Sequence, residues 1–178
     1  MPINFQIMRI GGKRGGQVML EAIVALTVMT IGMLGIFSVL SNSIGASRVS
    51  TNQEIAVNLG AEGIEVVKNI LDANFLSGSG AWNAGLTSCG SSGSGCRVQY
   101  DSASVTTSTP SALLKYDAAS KLYGYSSGVD TIFRRVVTID GIPSGMPTQL
   151  KVVSTVSWID RNAAPLSVVL EDRFFDWR

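Results

Sequence analysis

The chain has 178 residues, of which 46% are hydrophobic and 15% are charged, and its formal net charge is +1. This length accommodates one domain with an additional segment, and the near-neutral charge gives no overall indication of nucleic-acid binding. The sequence contains no histidine, which removes the commonest general base and the commonest metal ligand. We therefore expect a protein that is not an enzyme and has no cofactor and no metal site.

The first sixteen residues, MPINFQIMRIGGKRGG, are basic and glycine-rich and have no helical apolar face. Their charges come from Arg9, Lys13 and Arg14, without any acidic residue. We interpret residues 1–16 as a leader peptide. Positive charge ahead of an apolar run predicts that the N-terminus lies in the cytoplasm and the bulk of the chain lies across the membrane.

A long apolar run follows the leader. Residues 22–40, AIVALTVMTIGMLGIFSVL, carry no charge and have about the length that crosses a bilayer core as a helix. We predict a transmembrane helix over residues 17–45, in which Gly32 and Gly35 permit close contact between helices. One acid, Glu21, lies near its start, where a lone carboxylate is unfavourable unless it has a partner or stays at the membrane interface.

The helical period continues beyond the apolar run, but one side becomes polar. Residues 46–73 carry an apolar stripe, which predicts an amphipathic half-helix with one buried face. Glu65 and Lys68 are three residues apart and are predicted to pair weakly on the exposed side. The residues of the stripe are Ile55, Leu59, Val66, Val67, Ile70 and Leu71.

The two cysteines, Cys89 and Cys96, lie in a glycine- and serine-rich loop, LSGSGAWNAGLTSCGSSGSGC. Two cysteines without a histidine do not favour a structural zinc site. In an exported domain the pair is expected to form a disulfide, with two free thiols as the alternative. The glycines of the loop do not lie between a strand and a helix, so no phosphate-binding loop is expected.

Three C-terminal segments alternate between apolar and polar residues: DTIFRRVVTID, QLKVVSTVSWID and PLSVVLEDRFF. Two shorter segments, RVQYD and KLYGYSS, are predicted as short strands. Together they predict an antiparallel sheet with one buried face over residues 95–178. The predicted buried side chains are Phe133, Val137, Ile139, Leu150, Val152, Val156, Trp158, Leu166, Val168 and Leu170. With the amphipathic half-helix covering this face, residues 46–178 form a globular head and the fold class is α+β.

Two charged pairs lie on these predicted strands. Arg134 and Arg135 could contact DNA, but we interpret them as residues of a solvated face. Glu171 and Asp172 are adjacent on a strand and point to opposite faces, so we interpret them as polar edge residues. No segment shows the ligand order of a calcium-binding EF-hand loop.

The junction of the leader and the apolar run has a specific pattern. Lys13-Arg14-Gly15-Gly16 precedes QVMLE, so Glu21 is the fifth residue after Gly16. This pattern resembles the type III signal of type IV prepilins and pseudopilins. AVNLGAEGIEVVKNILDANF is similar to the segment after the transmembrane part of some minor pilins, and VSTVSWIDRNAAPLSVVLEDRFFDWR is similar to their closing hairpin. The resemblance leaves about residues 76–130 uncovered.

The resemblance implies the type IV pilin fold and cleavage of the Gly16–Gln17 bond by a prepilin peptidase. It also implies N-methylation of the first mature residue, which is Gln17 here, where the family usually has Phe or Met. The family's glutamate at the position of Glu21 is thought to pair with the N-terminal amine of a neighbouring subunit. The implied partners are the peptidase, the membrane, an inner-membrane assembly platform and other pilin subunits through the N-terminal helix; no nucleic acid is predicted.

The resemblance therefore predicts a minor type IV pilin, first a single-pass inner-membrane protein and then an extracellular subunit of a pilus filament or its tip. A pseudopilin of a type II secretion system is the alternative within the family. Outside the family, the alternatives are a membrane-anchored surface binding protein that never polymerises, with Glu21 in the headgroup region, and a domain secreted by cleavage near Ala46.

Overall fold

The computed structural model describes residues 15–78, 80–90, 95–107, 112–144, 147–160 and 164–176. The chain divides into two compact units, with the boundary between Arg48 and Val49. The helices are α1 (Gly15–Ser77) and a 3₁₀ helix (Thr87–Cys89), and the strands are β1 (Cys96–Arg97), β2 (Thr106–Thr107), β3 (Lys115–Asp117), β4 (Leu122–Gly124), β5 (Val129–Asp130), β6 (Arg134–Ile142), β7 (Gln149–Ile159) and β8 (Pro165–Phe175).

The first unit consists of the N-terminal part of α1. All side chains from residue 16 to residue 48 are exposed, so this part of the helix has no core of its own. Its two threonine hydroxyls are satisfied within the helix: Thr27 Oγ1 donates to the Val24 carbonyl at 2.8 Å, and Thr30 Oγ1 donates to the Thr27 carbonyl at 2.9 Å. These two hydroxyls therefore need no partner from outside the helix.

In the second unit, the C-terminal part of α1 buries the predicted stripe. Leu59, Val66, Val67, Ile70 and Leu71 are all buried, and Ile55 is partly buried. On the exposed side, Lys68 Nζ lies 3.6 Å from Glu65 Oε1, as the three-residue spacing predicts. The helix ends at Ser77, and Gly78 follows with a φ of +61°, a left-handed conformation that glycine adopts without strain.

The buried stripe packs against an antiparallel five-stranded sheet with the strand order β2-β1-β6-β7-β8. Across its centre, Val137 lies opposite Ser154, which in turn lies opposite Leu170. The predicted buried faces of β6 and β7 are confirmed, while Leu166, Val168 and Leu170 on β8 are only partly buried. A helix on an antiparallel sheet confirms the α+β class.

A second, three-stranded antiparallel sheet has the order β4-β3-β5. Its strand β4 lies within the predicted strand KLYGYSS, but β3, β5 and their pairing into a separate sheet were not expected from the sequence. Its strands have two or three residues, which is too short to show an alternating pattern. The main chain of Leu114 holds this small sheet to the start of β6, because its N–H donates to the Phe133 carbonyl and its carbonyl accepts from the Thr131 N–H. The predicted strand RVQYD is also shorter than expected, since only its Arg97 belongs to β1.

Cys89 and Cys96 form a disulfide, which confirms the sequence prediction, and their Cα atoms are 5.3 Å apart. Both are fully buried in the cluster that also contains Val67 and Val98. Closing so short a loop stabilises the fold by about 2–3 kcal/mol in the chain-entropy account. The disulfide thus fixes the glycine-rich loop to the first strand of the large sheet.

The prediction that Arg134 and Arg135 lie on a solvated face is wrong for Arg135, which is 1% exposed. Its guanidinium donates to the carbonyls of Leu59 at 2.8 Å and Val98 at 2.6 Å, and to Glu62 Oε1 at 3.1 Å. A buried guanidinium is tolerated because these acceptors replace water. Arg135 therefore ties α1 to β6 and to the residue that follows β1.

Arg135 fits beneath α1 because the helix has a glycine at this point. A Cβ atom on Gly63 would lie 2.8 Å from Ser154 Oγ and 3.2 Å from Arg135 Cδ. Those distances are shorter than ordinary van der Waals contact, so a larger residue would push the helix away from the sheet. The absence of a side chain at Gly63 thus allows α1 to lie close to the sheet at this point.

Candidate functional site

The residues that the sequence singles out for processing and assembly lie at the start of α1. Gly16, Gln17 and Glu21 all belong to the helix and are exposed. Gln17 and Glu21 are four residues apart, so they lie on the same helix face, one turn from each other. The leader charges Arg9, Lys13 and Arg14 lie outside the described residues.

Glu21 lies among exposed apolar side chains. Val18, Leu20 and Val24 are 62%, 67% and 52% exposed, respectively. Across the described ranges, no side chain or main-chain group forms a hydrogen bond or an ion pair with the Glu21 carboxylate. A carboxylate in such surroundings becomes unfavourable once water is removed, unless a cation from outside this structure reaches it.

The helix that carries Glu21 is long and apolar enough to cross a membrane, and it lies near the N-terminus. Large apolar side chains cover every side of it between residues 18 and 44, all of them at least half-exposed or nearly so. Such a surface is far larger than the apolar patches that soluble monomers expose. These properties are consistent with a single-pass membrane protein.

A shallow apolar groove of about 550 Å³ runs along the same helix at Gly32 and Gly35. A Cβ atom added at either glycine would meet nothing within 4 Å, so the groove is open in the single chain. Small residues on a membrane helix let the backbone of a second helix approach closely. The remaining lining residues are Ile31, Ile36, Val39, Leu40 and Ser43.

Three charged residues of β7 and β8 pair with one another. Glu171 accepts from Lys151 Nζ at 3.0 Å and from Arg173 at 3.2 Å. These two cations, Lys151 first, hold the pKa of the Glu171 carboxyl below its ordinary value. Glu171 and Asp172 lie on β8, an edge strand of this sheet. Glu171 lies opposite Val153 and Asp172 lies opposite Val152, so the two acids are on different faces of the sheet. Within the described ranges, no three Asp, Glu or Cys side chains cluster as metal ligands would.

The burial of Arg135 was missed from the sequence, although a signal was present. The alternation that places Phe133, Val137 and Ile139 on the buried face of β6 places Arg135 on the same face. An arginine at a position that alternation assigns to the core indicates a buried, hydrogen-bonded guanidinium.

No family model, no curated protein and no solved structure matches this chain. The features that indicate a function are therefore those of the chain itself. They are the spacing of Gly16 and Glu21, the exposed apolar part of α1, and the helix-on-sheet head of the second unit.

Proposed function

We propose that this protein is a minor type IV pilin. In this proposal it is inserted in the inner membrane, cleaved by a prepilin peptidase after Gly16, and packed as a structural subunit into a pilus filament or its tip. The observation that carries the proposal is the position of Glu21, five residues after Gly16, at the start of an apolar helix that is exposed on all sides. The basic residues Arg9, Lys13 and Arg14 supply the cytoplasmic charge that such a signal needs.

Cleavage after Gly16 would create a new ammonium group on Gln17. An ammonium and a carboxylate that leave water together stabilise each other, whereas either one alone is strongly unfavourable. A carboxylate at the centre of a membrane helix costs about 2.5–3.5 kcal/mol. Glu21, which has no partner among the described residues, would therefore favour the one helix stagger in which the Gln17 amine of a neighbouring subunit neutralises it.

The second unit supports the proposal more generally. In the type IV pilin fold, the C-terminal half of the N-terminal helix packs on an antiparallel sheet. Here α1 contributes Leu59, Val66, Val67 and Ile70 to the core beneath β6 and β7. Under the proposal this head lies on the surface of the filament, and the exposed apolar part of α1 forms the filament core.

Replacing Glu21 with leucine tests the proposal against an anchored surface protein that never polymerises. Glu21→Leu and a matched control, Glu54→Leu, would be expressed in a bacterium that carries a type IV pilus system. Both acids lie on α1 and are exposed. The amount of each variant in the membrane and in sheared filaments is measured by immunoblot, and intact mass shows whether the leader has been removed.

We expect Glu21→Leu to insert in the membrane and to be cleaved normally. Its amount in filaments should fall at least about tenfold below that of the unmodified chain, because the ammonium group of the neighbouring subunit then has no counterion. Glu54→Leu should enter filaments normally. Equal incorporation of Glu21→Leu and the unmodified chain would contradict the pairing mechanism. A chain that inserts but never enters filaments, with or without the substitution, would favour the anchored surface protein.

A further inference from the structure

A polar pocket of about 330 Å³ lies in the second unit, where β1 and β2 meet the segment that follows β4. Arg97 and Thr106 lie directly opposite each other across the β1–β2 pair, so their side chains share one face. Tyr125 and Ser126 close the other side. The lining residues with polar side chains are Arg97, Gln99, Ser102, Thr106, Tyr125 and Ser126.

Among the described residues, no acidic side chain forms an ion pair with the guanidinium of Arg97. Its Cζ atom lies 5.3 Å from the centroid of the Tyr125 ring, which holds it in place through a cation–π contact. All thirteen Asp and Glu residues of the chain lie within the described ranges, and none of them pairs with Arg97. The planar donor fork of an arginine suits a carboxylate or a phosphate, which it can bind through two parallel hydrogen bonds.

Hydroxyl groups lie around the Arg97 guanidinium. In the described part of the chain, the side chains of Thr106 and Ser126 have no hydrogen-bond partner. Ser102 Oγ accepts from the main-chain N–H of Gln99 at 3.0 Å, which leaves its own hydrogen free to donate. The pocket therefore offers one guanidinium and three hydroxyls to a ligand.

The walls of the pocket are fixed by hydrogen bonds that do not use these groups. Gln99 Oε1 accepts from the Tyr125 N–H at 3.0 Å, and Gln99 Nε2 donates to Asp101 Oδ1 at 2.6 Å. The Tyr125 hydroxyl donates to the Arg135 carbonyl at 3.2 Å. Burial raises the pKa of this phenol above its ordinary value, so the hydroxyl remains a donor into the alkaline range. The pocket is thus largely preformed, which lowers the entropy lost on binding.

We propose that this pocket binds a sugar that carries a single oxyanion group, either a carboxylate or a phosphate. Arg97 would hold the oxyanion, and the hydroxyls of Ser102, Thr106 and Ser126 would bind the sugar hydroxyls. A volume of about 330 Å³ is at the lower end of the range of small-molecule sites and suits one sugar ring. Nucleic acid is the weaker alternative, because it needs several cations along its backbone and this pocket contains one. The site does not depend on assembly into a filament.

The test uses the full chain, solubilised in a zwitterionic detergent that has no sugar headgroup. Isothermal titration calorimetry measures the binding of glucuronate, glucose 6-phosphate, glucose and a short single-stranded DNA. The same ligands are titrated into Arg97→Gln, into Ser126→Ala and into a control with the same charge change, Arg48→Gln, whose side chain is exposed in the first unit. Near-ultraviolet circular dichroism verifies that each variant is folded.

We expect glucuronate, glucose 6-phosphate or both to bind at least about tenfold more tightly than glucose, because only they offer an oxyanion to Arg97. The stronger of the two acids identifies the oxyanion that the site prefers. Arg97→Gln should weaken binding of the acids at least about tenfold, Ser126→Ala should weaken it by a few-fold, and Arg48→Gln should leave it unchanged. If Arg97→Gln does not fold, the proposal is tested by comparing the acid affinity of Ser126→Ala, which should be lower, with that of Arg48→Gln, which should be unchanged.

Three results would overturn the proposal: no binding of either acid, equal binding of glucose and the acids, or unchanged binding in the folded variants of the pocket. If neither sugar acid binds but the DNA does, and Arg97→Gln weakens the DNA binding, the pocket is assigned to nucleic acid.

Discussion

The two parts of α1 have the same secondary structure but opposite surroundings. Between residues 16 and 48 every side chain is exposed, including the large apolar ones. Between residues 49 and 77 most of the large apolar side chains form a stripe from Leu59 to Leu71, and that stripe is buried against the antiparallel sheet. Leu34 is 70% exposed whereas Leu59 is 3% exposed.

This contrast shows which part of the helix is stabilised by its own chain. The C-terminal part obtains its stability from packing on β6, β7 and β8. The N-terminal part is apolar on all sides, so it requires a partner that the single chain does not supply, either lipid or other apolar helices. The packing of the second unit therefore does not involve residues 16–48, to which the proposed function gives the roles of membrane insertion and assembly.

The largest expected effect on the packing of α1 comes from replacing Arg135, which links the buried part of the helix to the sheet. Arg135→Ala leaves Glu62 and the carbonyls of Leu59 and Val98 without their donor. We expect it to lower the free energy of unfolding by about 3–5 kcal/mol. The control is Arg134→Ala. Arg134 lies on the other face of β6, opposite Ser157, and we expect its replacement to lower the free energy of unfolding by less than about 1 kcal/mol.

Urea unfolding of the full chain in detergent, followed by tryptophan fluorescence, measures this effect. Trp82 and Trp158 lie in the second unit, and the sequence has no tryptophan between residues 16 and 48, so the signal does not report on that part of the helix. Equal midpoints for the two variants would mean that the buried guanidinium does not hold the helix to the sheet.

A matched pair of leucines sharpens the contrast. Leu59→Ala removes a side chain from the core, and large-to-small changes of this kind cost about 2–5 kcal/mol. Leu34→Ala removes an identical side chain from the exposed part of the same helix, and we expect no change in the unfolding of the second unit. The same urea titration compares them. A comparable loss in both variants would contradict the division of roles between the two parts of α1.

A pair of glycines gives a smaller effect. Gly63→Ala places a methyl group 2.8 Å from Ser154 Oγ, and we expect a loss of about 1–2 kcal/mol after the gain in helix propensity. At Gly35 a methyl group meets nothing within 4 Å, so Gly35→Ala should leave unfolding unchanged. Thermal unfolding in the same detergent distinguishes them, and an unchanged melting temperature for Gly63→Ala would show that the helix can move away from the sheet without loss.

Much of this fold could be predicted from the sequence because its longer elements have clear periods. The helical stripe from Leu59 to Leu71 and the alternation of Leu150, Val152, Val156 and Trp158 each extend over several repeats, and the structure confirms both. The Glu65–Lys68 pair and the Cys89–Cys96 disulfide could also be predicted, since each depends on residues close together in sequence.

The features that were missed depend on contacts between distant segments. The small sheet of β3, β4 and β5 has strands too short to show a period. The Arg97 pocket combines residues from β1, β2 and the segment after β4, whose proximity no local pattern reveals. The alternation along β6 indicates that Arg135 is buried, but the space for its side chain depends on Gly63, which lies far from it in sequence.

The measurement that tests the central proposal most directly is the N-terminus of the chain after expression with and without a prepilin peptidase. Intact mass and N-terminal sequencing would be compared for the unmodified chain and for Gly16→Leu. We predict a start at Gln17 that depends on both the peptidase and Gly16, and one additional methyl group in the mass would show N-methylation of Gln17. A start at Met1 in every sample, or a start near Ala46, would contradict the assignment of this protein to the type IV pilins.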